Sequence, residues 1–438
     1  MNIILLSGGS GKRLWPLSNE VRSKQFIKIF KKDDGYESMV QRIYGQIKAV
    51  DPQATVTIAT SKSQVSSIQN QLGEEVGISV EPCRRDTFAA IALATTYLHD
   101  VQGVKESEAV VVCPVDPYVD SAYFECVNEL YKAAETGRKN LVLMGINPTY
   151  PSEKYGYIKP VFSDSKEIEG YTFTEKPSKE KAEEYIAAGA LWNGGVFAYK
   201  LSYVLEKAKK LLGTCDYSTL FANYESLKKI SFDYAVVEAE TSIDVLTYMG
   251  SWEDLGTWNS LTEAMEESVI GDAMLSESCS NVHVINELGI PILGMGLQDV
   301  VISASPDGIL VSDKEQSSAI KPYVDAINQQ IMFAEKSWGS YRVLDVEEES
   351  LTIKVSLIPK QRMSYHSHEH RDEVWTVISG SGTTVVDGME QSIRPGDVIT
   401  MQAGCKHTVI AGEQGLQLIE VQIGKDISVF DKKKYELS

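Results

Sequence analysis

The sequence predicts an α/β domain built on a mostly parallel sheet, then a small β-rich segment, then a C-terminal all-β barrel. Three observations carry this. Apolar strand-like runs alternate with helical stretches up to about residue 265. Between residues 270 and 313, Gly, Pro and Asp cut the chain into short β runs. From residue 338 to 430 successive β runs are punctuated by the same residue types, with no helical stretch between them.

In chain order, Ile3–Leu6 is a short apolar run that ends in a glycine loop. Thr55–Ala59, Ile78–Glu81, Ala109–Cys113 and Leu141–Gly145 are expected as further strands. Ser38–Ala49, Lys62–Leu72, Thr87–His99 and Ala122–Ala134 are expected as the helices between them. Alternation at this spacing argues for a parallel sheet covered on both faces, whose ligands bind beyond the carboxyl ends of the strands. A polar helical connector is expected over about Glu315–Ala334, and no solenoid-type repeat is visible. The expected divisions are 1–268, 269–335 and 336–438.

Composition narrows the function. The 438 residues carry 42 Lys and Arg against 61 Asp and Glu, a net charge of −19. That disfavours nucleic acid or an anionic membrane as the main partner, but not an anionic small molecule held in a local basic pocket. No apolar run approaches the ~18 residues of a membrane span, and no signal-peptide pattern opens the chain. The six cysteines are scattered without a CxxC, as expected of reduced thiols in a cytoplasmic protein.

The glycine loop reads Ser7-Gly8-Gly9-Ser10-Gly11-Lys12-Arg13-Leu14-Trp15-Pro16. Glycines directly after a strand let backbone N–H groups approach a phosphate chain. Arg13 adds a bidentate donor and Lys24 a point charge. The loop is neither GxxxxGK[ST] nor GxGxxG.

The string GGSGKRLWPLSNEVRSKQF resembles the signature of sugar-1-phosphate nucleotidylyltransferases. RLWPLS followed by KQF is similar, more narrowly, to the mannose-1-phosphate guanylyltransferases. Ser23 stands where a proline usually precedes the lysine. Further strings follow in the family's order: EPCRRDT at 81–87, PVD at 114–116, YGYI at 155–158, EKP at 175–177, WNGGVF at 192–197, DYAV at 233–236 and WEDLGTW at 252–258. Asp86 replaces a common asparagine, and Pro117 a common histidine.

The resemblance implies a Rossmann-like nucleotidyltransferase domain that joins GTP to mannose 1-phosphate and releases pyrophosphate. Two polyanions must meet, so catalysis is mainly positioning and charge neutralisation. Asp116 and Asp254 are expected to hold Mg²⁺, which favours hard oxygen ligands. Arg13 and Lys24 would neutralise the triphosphate, and Lys176 would hold the sugar phosphate. Ser7, Gly8, Gly9, Gly11, Arg85, Asp86, Thr87 and Asp116 would contact the nucleotide. Gly156, Glu175 and Asn193 would contact the sugar. Trp192 and Trp252 are read as packing residues.

Four of the six histidines fall within residues 366–407. The spacing HxHx₄Ex₆G, then Gx₇Gx₂H, resembles the cupin motifs. His366 and His368, two apart on a strand, share a face. With Glu373 and His407 they form a candidate site for a divalent transition metal, Zn²⁺ or Co²⁺, Mn²⁺, Fe²⁺ or Ni²⁺. His370 falls outside that spacing. Such a barrel, introduced by Trp338-Gly339-Ser340-Tyr341, resembles a phosphomannose isomerase. His366 replaces the family's glutamine, Val374 replaces a histidine, and the usual segment ending in YGR is missing. Lys360, Arg362 and Arg371 are the available cations for a substrate phosphate. The barrel is expected as a metal-binding cupin, an active isomerase or its relic.

Two other readings stay open from sequence. One keeps the transfer chemistry with another sugar phosphate or nucleotide. The other is a non-catalytic nucleotide-sugar sensor with a cupin binding module. A homodimer is the default expectation.

Overall fold

Nine strands form the sheet of the first unit, in the order Ile168–Thr174, Tyr157–Phe162, Leu191–Lys200, Ala109–Pro114, Asn2–Ser7, Thr55–Ser61 and Gly77–Glu81. Leu141–Ile146 also pairs with Leu191–Lys200, and Ile243–Tyr248 pairs with Leu141–Ile146. The half carrying Asn2–Ser7 is parallel, with Ile3 opposite Val111 and Val56. Leu191–Lys200 enters antiparallel, so the sheet is mixed and mostly parallel. The computed structural model describes residues 1–9, 12–162, 168–327, 330–425, 427 and 431–436.

The expected strands and helices of this part form where the alternation places them. The first helix, Met39–Val50, starts at a capping box in which the Ser38 side chain accepts from Gln41 N. Such a cap contributes about 1 kcal/mol. The helix Asp86–Asp100 buries ten side chains because it lies against both the sheet and the helix Leu201–Leu212. Ile4, Val110, Val112, Leu143, Phe197, Tyr199 and Phe232 share one core. Each such burial contributes roughly 1.5–3 kcal/mol.

The chain divides into two units: Met1–Ser10, Lys24–Val65 and Glu74–Glu266 form one, and Gly11–Ser23, Ser66–Gly73 and Glu267–Ser438 the other. Gly11–Ser23 joins the second unit through specific bonds. The Arg22 guanidinium grips Glu287 with two bonds of 2.8 Å, and Asn19 Nδ2 donates to Asp307 Oδ2 at 2.7 Å. Lys12 pairs with Asp325 at 2.9 Å.

The β-rich segment differs from expectation. Its strands Val269–Ile270, His283–Asn286 and Val300–Ser305 stack in parallel, with Val269 beside Val284 and Val284 beside Ile302. Ala273–Leu275 and Ile292–Gly294 form a second parallel ladder. This is a short coil without a sequence repeat, held by Val282, Val284 and Ile302. The expected helical connector is also shorter. A 3₁₀ turn, Gln316–Ala319, precedes the helix Lys321–Ala326, and Ile327 is extended. Phe333–Lys336 is already a barrel strand, because it closes a hairpin with Gly339–Val346.

The barrel is antiparallel throughout. Its long strands Arg371–Val386 and His407–Gly424 pair with each other, and His407–Gly424 also pairs with Ser350–Leu357. Trp375, Val355, Val409 and Leu418 form its core. Among the described residues all six cysteines are unpaired. No helix among them is long and apolar enough to cross a membrane.

Candidate active site and metal centre

The carboxyl ends of four parallel strands open on one cavity of about 640 Å³, within the size range that takes small ligands. Ser7, Gly8 and Gly9 follow the first strand; Lys62 and Gln64 follow the second; Glu81, Cys83 and Arg84 end or follow the third. Pro114 ends the fourth strand. Asp86 and Thr87, at the start of the helix Asp86–Asp100, complete the lining beside Lys229. Lys62, Arg84 and Lys229 supply the local positive charge that the acidic chain needs for an anionic ligand.

The glycine loop is supported from beneath. Ser7 is buried and its hydroxyl donates to Gln64 Oε1 at 3.2 Å, while Gln25 Nε2 donates to Ser7 Oγ at 3.0 Å. Gly9 has φ of 121°, a conformation that side chains other than glycine's resist. Asp86 has φ of 68° and its carboxylate accepts from Thr87 N at 2.8 Å. Asn and Asp both tolerate this region, which explains the exchange at position 86. Gly11 lies outside the described residues. Arg13 is exposed on the 3₁₀ turn Lys12–Leu14, which groups with the second unit.

Arg85 needs correction. Its guanidinium donates to the carbonyl of Glu225, and it does not line the cavity. Its neighbour Arg84 does. The Glu225 carbonyl draws the Arg85 guanidinium away from the cavity.

Asp116 and Asp254 are brought together by a two-stranded ladder in which Asp254 lies opposite Pro117. Lys24 Nζ sits between them, 3.1 Å from Asp116 Oδ2 and 3.4 Å from Asp254 Oδ1. Burial disfavours the Lys24 charge, but the two carboxylates more than offset it and hold the ammonium above its ordinary range. The two carboxylates form a hard-oxygen donor pair of the kind that divalent cations favour. The cap of the helix Trp258–Glu263 is Thr257, which leaves Asp254 free of that role.

Beside this pair lies a smaller cavity of about 180 Å³, lined by Asp116, Pro117, Tyr155, Asn193, Gly194, Gly195, Trp252 and Asp254. Trp252 is therefore a lining residue as well as a packing one; its ring meets Tyr155 edge-on at 5.4 Å. Trp192 is buried behind it and donates to the Tyr157 hydroxyl at 3.1 Å. Gly156 does not line the cavity. A Cβ there would lie 2.6 Å from Glu175 Oε2, and its carbonyl accepts from Asn193 N at 2.8 Å. Glu175 pairs with Lys176 at 2.8 Å, which raises the Lys176 pKa. Lys176 has φ of 45°, local strain of the kind that clusters at functional sites.

In the barrel, the imidazoles of His366, His368 and His407 converge, with possible ligand atoms within 4.8 Å of one another. Each Nδ1 faces a backbone carbonyl: Ser364 at 2.6 Å, Asp431, and Cys405 at 3.0 Å. Such bonds orient the rings and leave the Nε2 lone pairs inward. Glu373 Oε1 lies 3.2 Å from His368 Nε2. Glu373 Oε2 and His407 Nε2 face each other at 3.3 Å, yet neither has an aligned hydrogen bond. Two buried, unsatisfied ligand atoms beside two more histidines fit a divalent metal. Burial lowers His366 to about 2 and His368 to about 4, so both are neutral, as ligation requires. His370 is exposed.

Of the three cations expected near a substrate phosphate, Arg371 alone joins this cluster: its Nε donates to Glu373 Oε1 at 3.0 Å, and its terminal nitrogen lies 3.0 Å from His368 Nε2. Lys360 is paired with Glu413 at the surface, and Arg362 is exposed. Sequence reasoning gave no role to Glu420. It is buried, accepts from Gln422 Nε2 at 2.5 Å, and is raised to about 8 by burial and the nearby Glu373 charge. The folded chain then holds a proton that the unfolded chain loses above the ordinary carboxylate range. This contribution to stability is present at low pH and declines as pH rises from about 4.5 through about 8. Glu420→Gln is expected to gain relative protection in the strand His407–Gly424 as pH rises from 5 to 8, read by hydrogen exchange against the unmodified chain. A pH-independent difference would contradict this.

The nucleotidyl transferase family model matches residues 2–269, and the model for the C-terminal domain of mannose-6-phosphate isomerase matches residues 325–436. A putative mannose-1-phosphate guanylyltransferase of Vibrio cholerae is 28% identical over 99% of both chains. The xanthan biosynthesis protein XanB of Xanthomonas campestris is 30% identical, covering 99% of this chain and 97% of its own. A solved structure described as mannose-1-phosphate geranyltransferase from Thermus thermophilus is 28% identical, with a TM-score of 0.61 over 74% of this chain and 98% of its own.

Proposed function

The chain belongs to the nucleotidyl transferase family and carries a mannose-6-phosphate isomerase C-terminal domain, and from that premise we propose that it transfers GMP from GTP to mannose 1-phosphate, giving GDP-mannose and pyrophosphate. The observation that carries this reading is the Lys24, Asp116 and Asp254 cluster, whose two carboxylates line the small cavity close in sequence to the large one. Pro114 lines the large cavity and Asp116 the small one, only two residues apart. The large cavity suits a nucleotide and the small one a hexose. The relatives' names supply the base and the sugar.

The sugar phosphate is already a nucleophile at neutral pH, so the site needs no general base. Its oxygen attacks the α-phosphorus of GTP in line with the departing pyrophosphate. The backbone N–H groups after Ser7 cradle phosphate oxygens, and the helix start at Asp86 and Thr87 faces the same space. Lys24 neutralises charge that develops during transfer. Arg13 and Gly11 are assigned to the triphosphate on the motif alone. Asp116 and Asp254 would hold Mg²⁺, which when bound supplies charge neutralisation on the phosphate oxygens. Lys176 holds the sugar phosphate, and Glu175 and Asn193 bond to sugar hydroxyls. The cytoplasm is the compartment we assign.

A second activity follows from the barrel. Three inward Nε2 atoms and Glu373 would hold a divalent metal, which when bound supplies polarisation of a substrate carbonyl. Of the three cations expected from sequence, Arg371 is the one placed to meet a substrate phosphate. Interconversion of mannose 6-phosphate and fructose 6-phosphate is the proposed reaction, with Zn²⁺ or another divalent transition metal as the proposed ion.

Pyrophosphate release tests the transferase reading, with GTP, ATP, CTP and UTP each offered with mannose 1-phosphate and glucose 1-phosphate. The expected result is release with GTP and mannose 1-phosphate at least ~10-fold above every other pair. Faster release with another pair would overturn the substrate assignment. Silence across the panel would favour the sensor reading.

A further inference from the structure

Asp233 has no part in the chemistry above, yet it is bonded to the small cavity. It opens the π-helix Asp233–Val237, a form that appears frequently at functional sites. The residue before it, Phe232, is buried against Phe197 at 4.8 Å, and its N–H donates to Thr87 Oγ1 at 2.8 Å. The turn is thus tied to the nucleotide segment on one side. On the other, Asp233 Oδ1 accepts from Asn193 Nδ2 at 2.7 Å. Asn193 Oδ1 accepts from Gly195 N at 3.2 Å.

A carboxamide has two unlike ends, and an ionised carboxylate can only accept. Asp233 therefore admits one orientation of Asn193, with the amide nitrogen toward the carboxylate and the oxygen toward Gly195. One Nδ2 hydrogen and one Oδ1 lone pair remain for a ligand. Burial, then the Glu175 charge, raise Asp233 to about 6, which still leaves it mainly ionised at neutral pH.

We propose that Asp233 is a positioning residue that locks the Asn193 carboxamide in the orientation that reads the sugar hydroxyls. It sets affinity for the sugar phosphate and leaves the nucleotide site alone. This rests on the small cavity being the sugar site. An asparagine at 233 can donate as well as accept, so Asp233→Asn removes the charge-assisted half of the lock without changing shape or volume, and leaves only the longer Gly195 N–H bond to hold the Asn193 amide.

The test is a double-mutant cycle in the full chain, with Asp233→Asn, Asn193→Ala and the pair, measuring KM for mannose 1-phosphate and for GTP together with kcat. Each single change is expected to raise the mannose 1-phosphate KM about 10-fold, the effect of one charge-assisted bond. The GTP KM is expected to stay within about twofold. In the Asn193→Ala background, Asp233→Asn is expected to add less than about twofold, because it acts through Asn193. The proposal is overturned if Asp233→Asn leaves the sugar KM unchanged, raises both KM values alike, or multiplies the Asn193→Ala effect. If Asn193→Ala leaves the sugar KM unchanged, the sugar-site reading fails first and the proposal with it. Should Asp233→Asn not fold, Asp233→Ala is measured in the same cycle, with the same outcomes deciding.

Discussion

Alanine at Asp116 or Asp254 is expected to lower pyrophosphate release by about 10³-fold or more, with the fold intact. Both side chains are 44% exposed and belong to no apolar core, so removing them opens no cavity. Their effect is electrostatic. Each supplies half of the paired negative charge that Lys24 bridges at 3.1 and 3.4 Å. Without one, the charge of the remaining carboxylate is balanced by Lys24 alone, and the site loses both a ligand and the net negative charge that attracts Mg²⁺. Activity and a thermal melt on the same preparation decide it: residual activity above about a tenth, with an unchanged melt, would remove the metal role from that residue.

Alanine at His407 is expected to empty the barrel of metal and abolish isomerase turnover, while the transferase rate stays within about twofold. Its Nε2 is one of two buried ligand atoms with no aligned partner, and it faces Glu373 at 3.3 Å. Losing a ligand should weaken metal binding by at least the ~10–100-fold seen on losing an outer-shell partner. Metal content of the full chain, after loading with Zn²⁺ or Co²⁺ and desalting, reads this directly. His366→Gln restores the family's usual residue and is expected to retain metal. Equal metal content in His407→Ala and the unmodified chain would show that the cluster is not the site. Metal bound without isomerase turnover in the unmodified chain would make the barrel a relic.

The parts legible from sequence are those set by local pattern. Strand ends mark the large cavity because a parallel sheet places them together, and the glycine loop follows from that, while Asp86 and Thr87 follow from the EPCRRDT resemblance. The histidine cluster was legible from the cupin spacing, although the strand ends at Ser367 and His368 lies just beyond it. What was missed depends on partners far along the chain. Arg85 turns to Glu225, 140 residues away, leaving Arg84 in the cavity. Trp252 becomes a lining residue only because its strand pairs with Pro117–Val119. Asp233 acquires meaning from Asn193, 40 residues earlier. The parallel coil at 269–305 is held by apolar columns that carry no repeated motif.

Direct attack at the α-phosphorus, with no enzyme nucleophile, is the central claim about how Lys24, Asp116 and Asp254 work. The stereochemical course at that phosphorus tests it most directly. GTP made chiral with sulfur at the α-phosphorus would be turned over with mannose 1-phosphate, and the configuration of the product determined. A single in-line displacement predicts inversion. Retention would require two displacements through a covalent enzyme intermediate, and would contradict the account.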